Sequence, residues 1–120
     1  MSENVSGIIT FTASGAIPAD RLVKFSAART VTLCGSGEVA IGKSCSSAVD
    51  GGSVDVRLLN SPGSYELTAA EAISAAAVIY PAANGMVKDT AAGTAIGYAI
   101  DAATALNDVI ACYIVPVTPA

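Results

Sequence analysis

The sequence repeats itself with a period of about 55 residues, a spacing that predicts two copies of one structural unit. Five residues of the segment 12–19 recur at 68–75: a Thr-Ala pair, an Ala-Ile pair and a final alanine. Further along, the tripeptide Ala-Ile-Gly occurs at 40–42 and again at 95–97. Because each half carries the same order of apolar runs and turns, the two halves are predicted to share one fold.

The apolar residues favour strands over helices. Val and Ile together number 22, against six Leu, and β-branched side chains pack well on a pleated surface. Turn-forming pairs such as Asp50-Gly51 and Asn84-Gly85 separate the apolar runs. The predicted fold is all-β, a compact sandwich or barrel built from the two repeats, with at most one or two short helical turns. The clearest predicted strands are Ile8–Thr12, Thr30–Leu33, Ser53–Leu59, Tyr65–Thr68 and Asp108–Ile114.

The repeats also divide the chain. We predict an N-terminal arm at 1–6, a first β repeat at 7–60, a second at 61–115 that shares one core with it, and a C-terminal tail at 116–120. Residues 68–77 have high helix propensity. Their counterpart in the first repeat contains Pro18 and the charged pair Asp20-Arg21, which are typical of a loop. We therefore predict a loop or one helical turn at 69–77.

The composition argues against several classes of function. Charged residues make up 13% and the net charge is −4, whereas binding to nucleic acid or to an anionic membrane needs clustered cations. The chain has no histidine, so it lacks the commonest general base and metal ligand. We predict no catalytic, cofactor-binding or metal-binding residues and no cofactor. A small enzyme of a new type is the least favoured alternative, and a ligand-dependent rise in melting temperature would reveal it.

Cysteine and tyrosine are both assigned to the interior. The three cysteines are an odd number and form no C-x-x-C pair, which favours reduced thiols packed as small apolar side chains and synthesis in the cytosol. The first residues lack the positive charge of a signal peptide. The tyrosines lie in strand patterns and are expected to pack in the core. These residues are Cys34, Cys45, Cys112, Tyr65, Tyr80, Tyr98 and Tyr113.

Charge is divided unequally between the halves. Residues 1–60 carry five cations and five acids, whereas residues 61–120 carry Lys88 alone and five acids. One interpretation is drift between duplicated units. The other is that the first half meets an acidic partner surface. Alanine accounts for 24 residues, so the core is thin, and a thin core is often completed by a partner.

The duplicated pattern resembles the capsid cement, or head decoration, proteins of tailed bacteriophages. The resemblance extends from Gly7 to about Val115 and rests on the order and doubling of short motifs. In the first half these are Ala16–Phe25, Val39–Gly42 and Asp50–Val56, and in the second half Ala72–Tyr80, Ala95–Ala102 and Asn107–Ile110. The chain departs from the pattern at Ala19-Asp20 and Ala75-Ala76, where such proteins usually carry Gly-Asp.

The resemblance implies a structural virion protein that binds the outside of an expanded icosahedral capsid. Such proteins typically cluster, often as trimers, where neighbouring capsomers meet. The implied partners are the major capsid protein and further copies of the chain, and the implied location is the capsid exterior. As most capsid exteriors are acidic, the expected contact residues are cations of the first half: Arg21, Lys24, Arg29 and Arg57.

One alternative is a β-rich display module that recognises a glycan or a host surface. Sugar sites usually stack the ligand on exposed aromatic side chains. The sequence contains no Trp and its tyrosines are expected inside, which favours the structural role. Binding to a glycan array would distinguish the two.

Overall fold

The computed structural model describes residues 7–60 and 63–117, with side chains as far as Val115. The regular secondary structure of the described residues consists of short strands and one 3₁₀ turn at Ala83–Gly85, joined by turns and loops. The all-β fold predicted from the sequence is confirmed. The strands are β1 Ile8–Ala13, β2 Leu22–Ala27, β3 Thr30–Leu33, β4 Gly42–Ser44, β5 Ser53–Leu58, β6 Ser64–Thr68, β7 Val78–Pro81, β8 Val87–Lys88, β9 Ala95–Ala99 and β10 Val109–Val117.

The first half is a closed barrel with strand order β1-β3-β2-β4-β5. Neighbouring strands run antiparallel except at one seam, where β1 and β3 run parallel and Ala13 pairs with Val31. On the other side of β1, Phe11 pairs with Val54 of the antiparallel β5. Closure removes the exposed sheet edges that would otherwise invite pairing with another chain.

The second half forms a five-stranded sheet with order β6-β10-β9-β7-β8. Ala69 and Val87 form a parallel bridge in this half. Each lies 56 positions after its counterpart in the parallel seam of the first half, where Ala13 pairs with Val31. The bridge joins the two ends of the sheet. This match supports the proposal that the chain is two copies of one β unit.

Alternation along the strands separates the inner and outer faces. In β5, Val54 and Val56 are buried whereas Ser53 and Asp55 are exposed, which is the period of two expected of a half-buried strand. The five strands predicted most clearly all occur, and β10 extends to Val117. The predicted tail therefore overlaps β10 by two residues, while the predicted arm at 1–6 and residues 118–120 lie outside the described part of the chain.

The alanine-rich segment 69–77 is a loop, as predicted. Within it, Ile73 is only 2% exposed and bridges Ala103 in the loop before β10. In the first half, Ile17 is 1% exposed and bridges Ala48 in the same way. The repeated Ala-Ile pair thus places a buried isoleucine at the same position in each half. In the second half, burial of this isoleucine overrides the helix propensity of its alanine neighbours.

The repeated Ala-Ile-Gly motif marks a close approach of two strands. A Cβ on Gly42 would lie 2.6 Å from the Arg57 carbonyl oxygen and 2.5 Å from Val56 Cγ1. At the equivalent position, a Cβ on Gly97 would collide with the Tyr113 carbonyl oxygen. Both positions require glycine because the backbone of the adjacent strand occupies the space of a side chain.

The buried side chains form two clusters, one inside each half. Val23 belongs to the cluster inside the first barrel, whereas its neighbour Leu22 points out of that barrel and belongs to the larger cluster of the second half. Cys34 also joins the larger cluster. The core of the second half therefore extends across the junction and packs on the outer wall of the first barrel.

Candidate functional site

Arg57, one of the four predicted contact residues, lies at the junction between the halves. Its guanidinium carbon is 4.0 Å from the centroid of the Tyr65 ring, and its Nη1 donates a hydrogen bond of 2.6 Å to the Ser64 carbonyl oxygen. The Tyr65 hydroxyl in turn donates to the Leu58 carbonyl oxygen at 2.6 Å. A cation held over an aromatic face in a partly desolvated place stabilises the contact, so Arg57 fastens the second half to the first.

Arg21 lies at the same junction. Its Nη1 donates to the Asn84 carbonyl oxygen of the second half at 3.0 Å, while its Nε is buried and has no hydrogen-bond partner among the described residues. Beside it, the Gly85 amide donates to the Cys34 carbonyl oxygen at 2.7 Å. A Cβ on Gly85 would lie 2.5 Å from the Leu22 carbonyl oxygen, so this contact is made by backbone against backbone.

The other two predicted contact residues lie on the first half alone. Lys24 forms an ion pair of 2.6 Å with Glu38. Hydrogen bonds from Lys24 and from the Gly35 amide lower the pKa of Glu38. Arg29 is exposed at the turn between β2 and β3, where its φ is 52°.

The structure therefore does not gather the four predicted cations into one patch. Arg21 and Arg57 contact the second half, Lys24 neutralises a neighbouring acid, and Arg29 is the most openly placed of the four. Their role in binding a capsid stays a prediction. Because the first three have internal contacts, charge reversal at those positions would also disturb the fold.

A fifth cation, Lys43, is buried in a way that the sequence did not indicate. It is only 8% exposed and forms an ion pair of 2.5 Å with Asp20. Asp20 also joins the halves, since its carbonyl oxygen accepts from the Thr68 amide and from the Thr68 hydroxyl, both at 3.0 Å. The signal in the sequence is weak, because Lys43 lies in a strand of only three residues.

The expectation that the tyrosines pack in the core is right for one and wrong for two. Tyr65 is 1% exposed, whereas Tyr98 is 37% and Tyr113 is 54% exposed. Tyr98 and Tyr113 are directly paired across β9 and β10 and alternate with buried residues, so the pleat turns both outward. Tyr80 is half-buried. The outer face of the second half therefore presents two adjacent aromatic rings.

A groove of about 390 Å³ lies between the two halves. Apolar side chains line most of it, including Leu59 from the first half and Ile96 and Ile114 from the second, with Val39 and Glu38 at one side. Val39 is 80% exposed. The groove is therefore a mostly apolar depression, and Glu38 supplies the one carboxylate of its lining.

The thiols divide between the core and the surface. Cys34 and Cys112 are fully buried and Cys45 is exposed, and all three are free. Burial raises the pKa of Cys34 to about 11 and of Cys112 to about 12. The interpretation as small apolar side chains packed in the core is confirmed for these two. The exposed Cys45 departs from it.

Comparison with known protein families settles the class to which this fold belongs. The model of the phage cement protein family matches residues 3–114, nearly the whole chain. The chain belongs to the phage cement protein family. It is therefore a structural protein of a phage virion that associates with the capsid, as the resemblance read from the sequence implied.

A solved structure shows that another phage protein has the fold of this cement protein. The chain is similar to the crystal structure of the head fiber gp8.5 N base of bacteriophage phi29, with a TM-score of 0.79 and 16% identity. The match covers 90% of this chain and 92% of that one. Comparison with curated protein sequences gives no match.

The described part of the cement protein offers several contact surfaces. Within residues 7–60 and 63–117, no three His, Cys, Asp or Glu side chains are placed to hold a metal ion. In the same part of the chain, no helix is long and apolar enough to cross a membrane. The features that the geometry provides are the exposed tyrosine pair, the groove between the halves and Arg29.

Proposed function

We propose that this cement protein binds the exterior of the expanded capsid at junctions between capsomers and stabilises the shell against the pressure of the packaged genome. The observation that carries the proposal is the family match over residues 3–114. The proposed partners are the major capsid protein and further copies of the chain, with a trimer favoured. The proposed location is the capsid exterior, after synthesis in the host cytoplasm.

The mechanism is thermodynamic linkage. A protein that binds the expanded shell but not the precursor shell stabilises the expanded state by the free energy of binding. Each contact can be weak because many copies act in parallel on one shell. The fold suits such a role, since a closed β barrel and a five-stranded sheet, joined by backbone contacts, present one body to the capsomers.

Arg29 is the best single position at which to test the predicted charged contact. Its exposed side chain lies at a turn, so Arg29→Glu should leave the fold intact and weaken binding to an acidic shell. Arg29→Gln is the matched control, because it removes the charge without reversing it and should weaken binding less. If Arg29→Glu, folded and with the parent's mass, binds shells as well as the parent does, the charged contact is wrong at this position.

Sedimentation of the purified protein with empty shells tests the proposal itself. The proposal predicts saturable binding to expanded shells and no binding to unexpanded shells of the same virus. Equal binding to both forms, or binding to neither, would contradict it.

The exposed pair Tyr98 and Tyr113 favours one alternative, a display module that stacks sugar rings on these side chains. This alternative predicts binding to a glycan array that is lost in the double variant Tyr98→Ser/Tyr113→Ser. The structural proposal predicts no glycan binding by either protein.

A further inference from the structure

The buried clusters of the two halves depend on the junction to different extents. Among the described residues, the cluster inside the first barrel is drawn entirely from the first half. The larger cluster of the second half includes Leu22 and Cys34, which are both fully buried and both belong to the first half. Separation of the halves would therefore take two buried side chains out of the core of the second half and leave the core of the first barrel complete.

The sheets of the two halves differ in the same sense. The parallel seam that closes the first barrel contains two residue pairs. The equivalent closure of the second half is an isolated bridge between Ala69 and Val87. The sheet of the second half is therefore closed by less backbone pairing than the barrel is.

The β7–β8 hairpin of the second half is also supported by the first half. The Gly85 amide donates to the Cys34 carbonyl oxygen at 2.7 Å, and Arg21 donates to the Asn84 carbonyl oxygen at 3.0 Å. The barrel holds its own side of this junction, because the Cys34 amide donates to the Leu22 carbonyl oxygen at 3.0 Å. Separation would thus remove support from the hairpin and leave the backbone of the barrel bonded.

We propose that the second half opens from the first and unfolds as one unit while the barrel of the first half stays folded. The opposite order, an unfolded barrel beside an intact second half, is disfavoured because the core of the second half needs Leu22 and Cys34 in place. Proteins commonly open in cooperative units that coincide with supersecondary motifs, and here the unit is one repeat. The inference goes beyond the proposed function and does not depend on it, so it is tested on the protein alone.

The three free thiols are natural probes of this opening. Cys34 lies on the barrel under the second half, Cys112 lies inside the second half, and Cys45 is exposed. Opening of the second half should uncover Cys34 and Cys112 together. Alkylation by iodoacetamide, followed for each thiol by mass spectrometry of peptides, measures how often each is uncovered, with Cys45 as the unprotected reference.

Hydrogen exchange of backbone amides reports on both halves of the same molecule. The Ala13 amide is hydrogen-bonded within the barrel and the Ala69 amide within the second half, and both residues are at most 1% exposed. The proposal predicts one free energy of opening for Cys34, Cys112 and the Ala69 amide. The Ala13 amide should be protected at least about tenfold more strongly, because it exchanges only when the barrel unfolds as well.

Two buried valines at equivalent positions supply a matched pair of variants. Val31 lies in the barrel cluster and Val87 in the cluster of the second half, and each is 0% exposed. Val87→Ala destabilises the closed form relative to the open one, so it should speed alkylation of Cys34 and Cys112 by about tenfold or more. Val31→Ala weakens the barrel in the closed and open forms alike. It should leave both alkylation rates within about twofold of the parent and speed exchange at Ala13 by about tenfold or more.

A milder pair of substitutions keeps the test available if either alanine variant does not fold. Ile17 lies in the barrel cluster and Ile73 at the equivalent position in the cluster of the second half. Ile73→Val should speed alkylation of the two buried thiols roughly fivefold, and Ile17→Val should leave it unchanged.

Three results would overturn the proposal. Equal protection of the two amides would show that the whole chain unfolds in one step. Equal acceleration of alkylation by the two valine variants would show that the barrel unfolds whenever the second half does. Faster alkylation of Cys34 than of Cys112 would show that the hairpin lifts from the barrel while the rest of the second half stays folded.

Discussion

Truncation of Leu22 to alanine should cost far more stability than the same change at its counterpart, Val78. The two residues occupy the same position in their halves, at the start of β2 and β7, and each pairs with the strand beside it. They differ in burial, since Leu22 is 0% exposed and packs in the core cluster of the second half, whereas Val78 is partly exposed.

The magnitude follows from burial. Removing a fully buried leucine side chain to alanine costs roughly 3 kcal/mol, through lost transfer free energy and the cavity that remains. The unfolding entropy is about 0.25 kcal/mol/K for a chain of 120 residues. Leu22→Ala should therefore lower the melting temperature by about 12 °C. Val78→Ala removes less area from a position already in contact with water and should cost less than about 1 kcal/mol.

Denaturant unfolding of both variants, at concentrations where the protein is monomeric, measures the difference. The slope with denaturant should stay unchanged, so that the shift of the midpoint reports stability. Equal costs at the two positions would refute the reasoning, because they would show that the second half does not bury Leu22. A cost below about 1 kcal/mol for Leu22→Ala would refute it as well.

Two further predictions concern backbone strain and the thiols. Ala76 has a φ of 67°, a conformation that glycine adopts without strain, so Ala76→Gly should raise stability by about 1 kcal/mol in denaturant unfolding while the neighbouring control Ala75→Gly should lower it. Burial raises the pKa of Cys34 to about 11 and of Cys112 to about 12 from an ordinary 9. Above pH 9 the unfolded thiols lose protons that the folded protein keeps, so stability should fall by up to about 1.4 kcal/mol per pH unit for each thiol, from pH 9 to about 11 for Cys34 and to about 12 for Cys112. The fall should flatten in Cys34→Ala/Cys112→Ala and persist in the surface control Cys45→Ala. A stability gain in both glycine variants would contradict the first prediction, and an unchanged alkaline fall in the double cysteine variant would contradict the second.

The sequence predicted the strands well because burial on one face leaves a period of two in the residues. Val54 and Val56 show it directly. It also predicted a loop or one helical turn for the alanine-rich segment 69–77, although local propensity favoured a longer helix. The repeat supplied that information, since the matching segment of the first half contains Pro18 and could not continue a helix.

The surfaces were harder to predict because identical strand positions have different surroundings in the two halves. Lys43 and Tyr98 are equivalent, yet the lysine is buried and the tyrosine exposed. Lys43 forms an ion pair with Asp20 at the junction between the halves, whereas Tyr98 is 37% exposed among the described residues. Local sequence carries no signal for such contacts between the halves. The contacts of Arg21 and Arg57 with the second half were likewise not predicted, because the sequence does not show which residues meet across the junction. Their role in binding a capsid stays a prediction.

The most direct test of the role as a cement is the temperature at which packaged genome escapes from the capsid. Particles filled with DNA would be prepared without this protein, and DNA release on heating would be followed with and without the purified protein added back. If the protein stabilises the expanded shell, the release temperature should rise with the amount bound and level off when the binding sites are full. Saturable binding with an unchanged release temperature would show that the protein decorates the capsid without strengthening it.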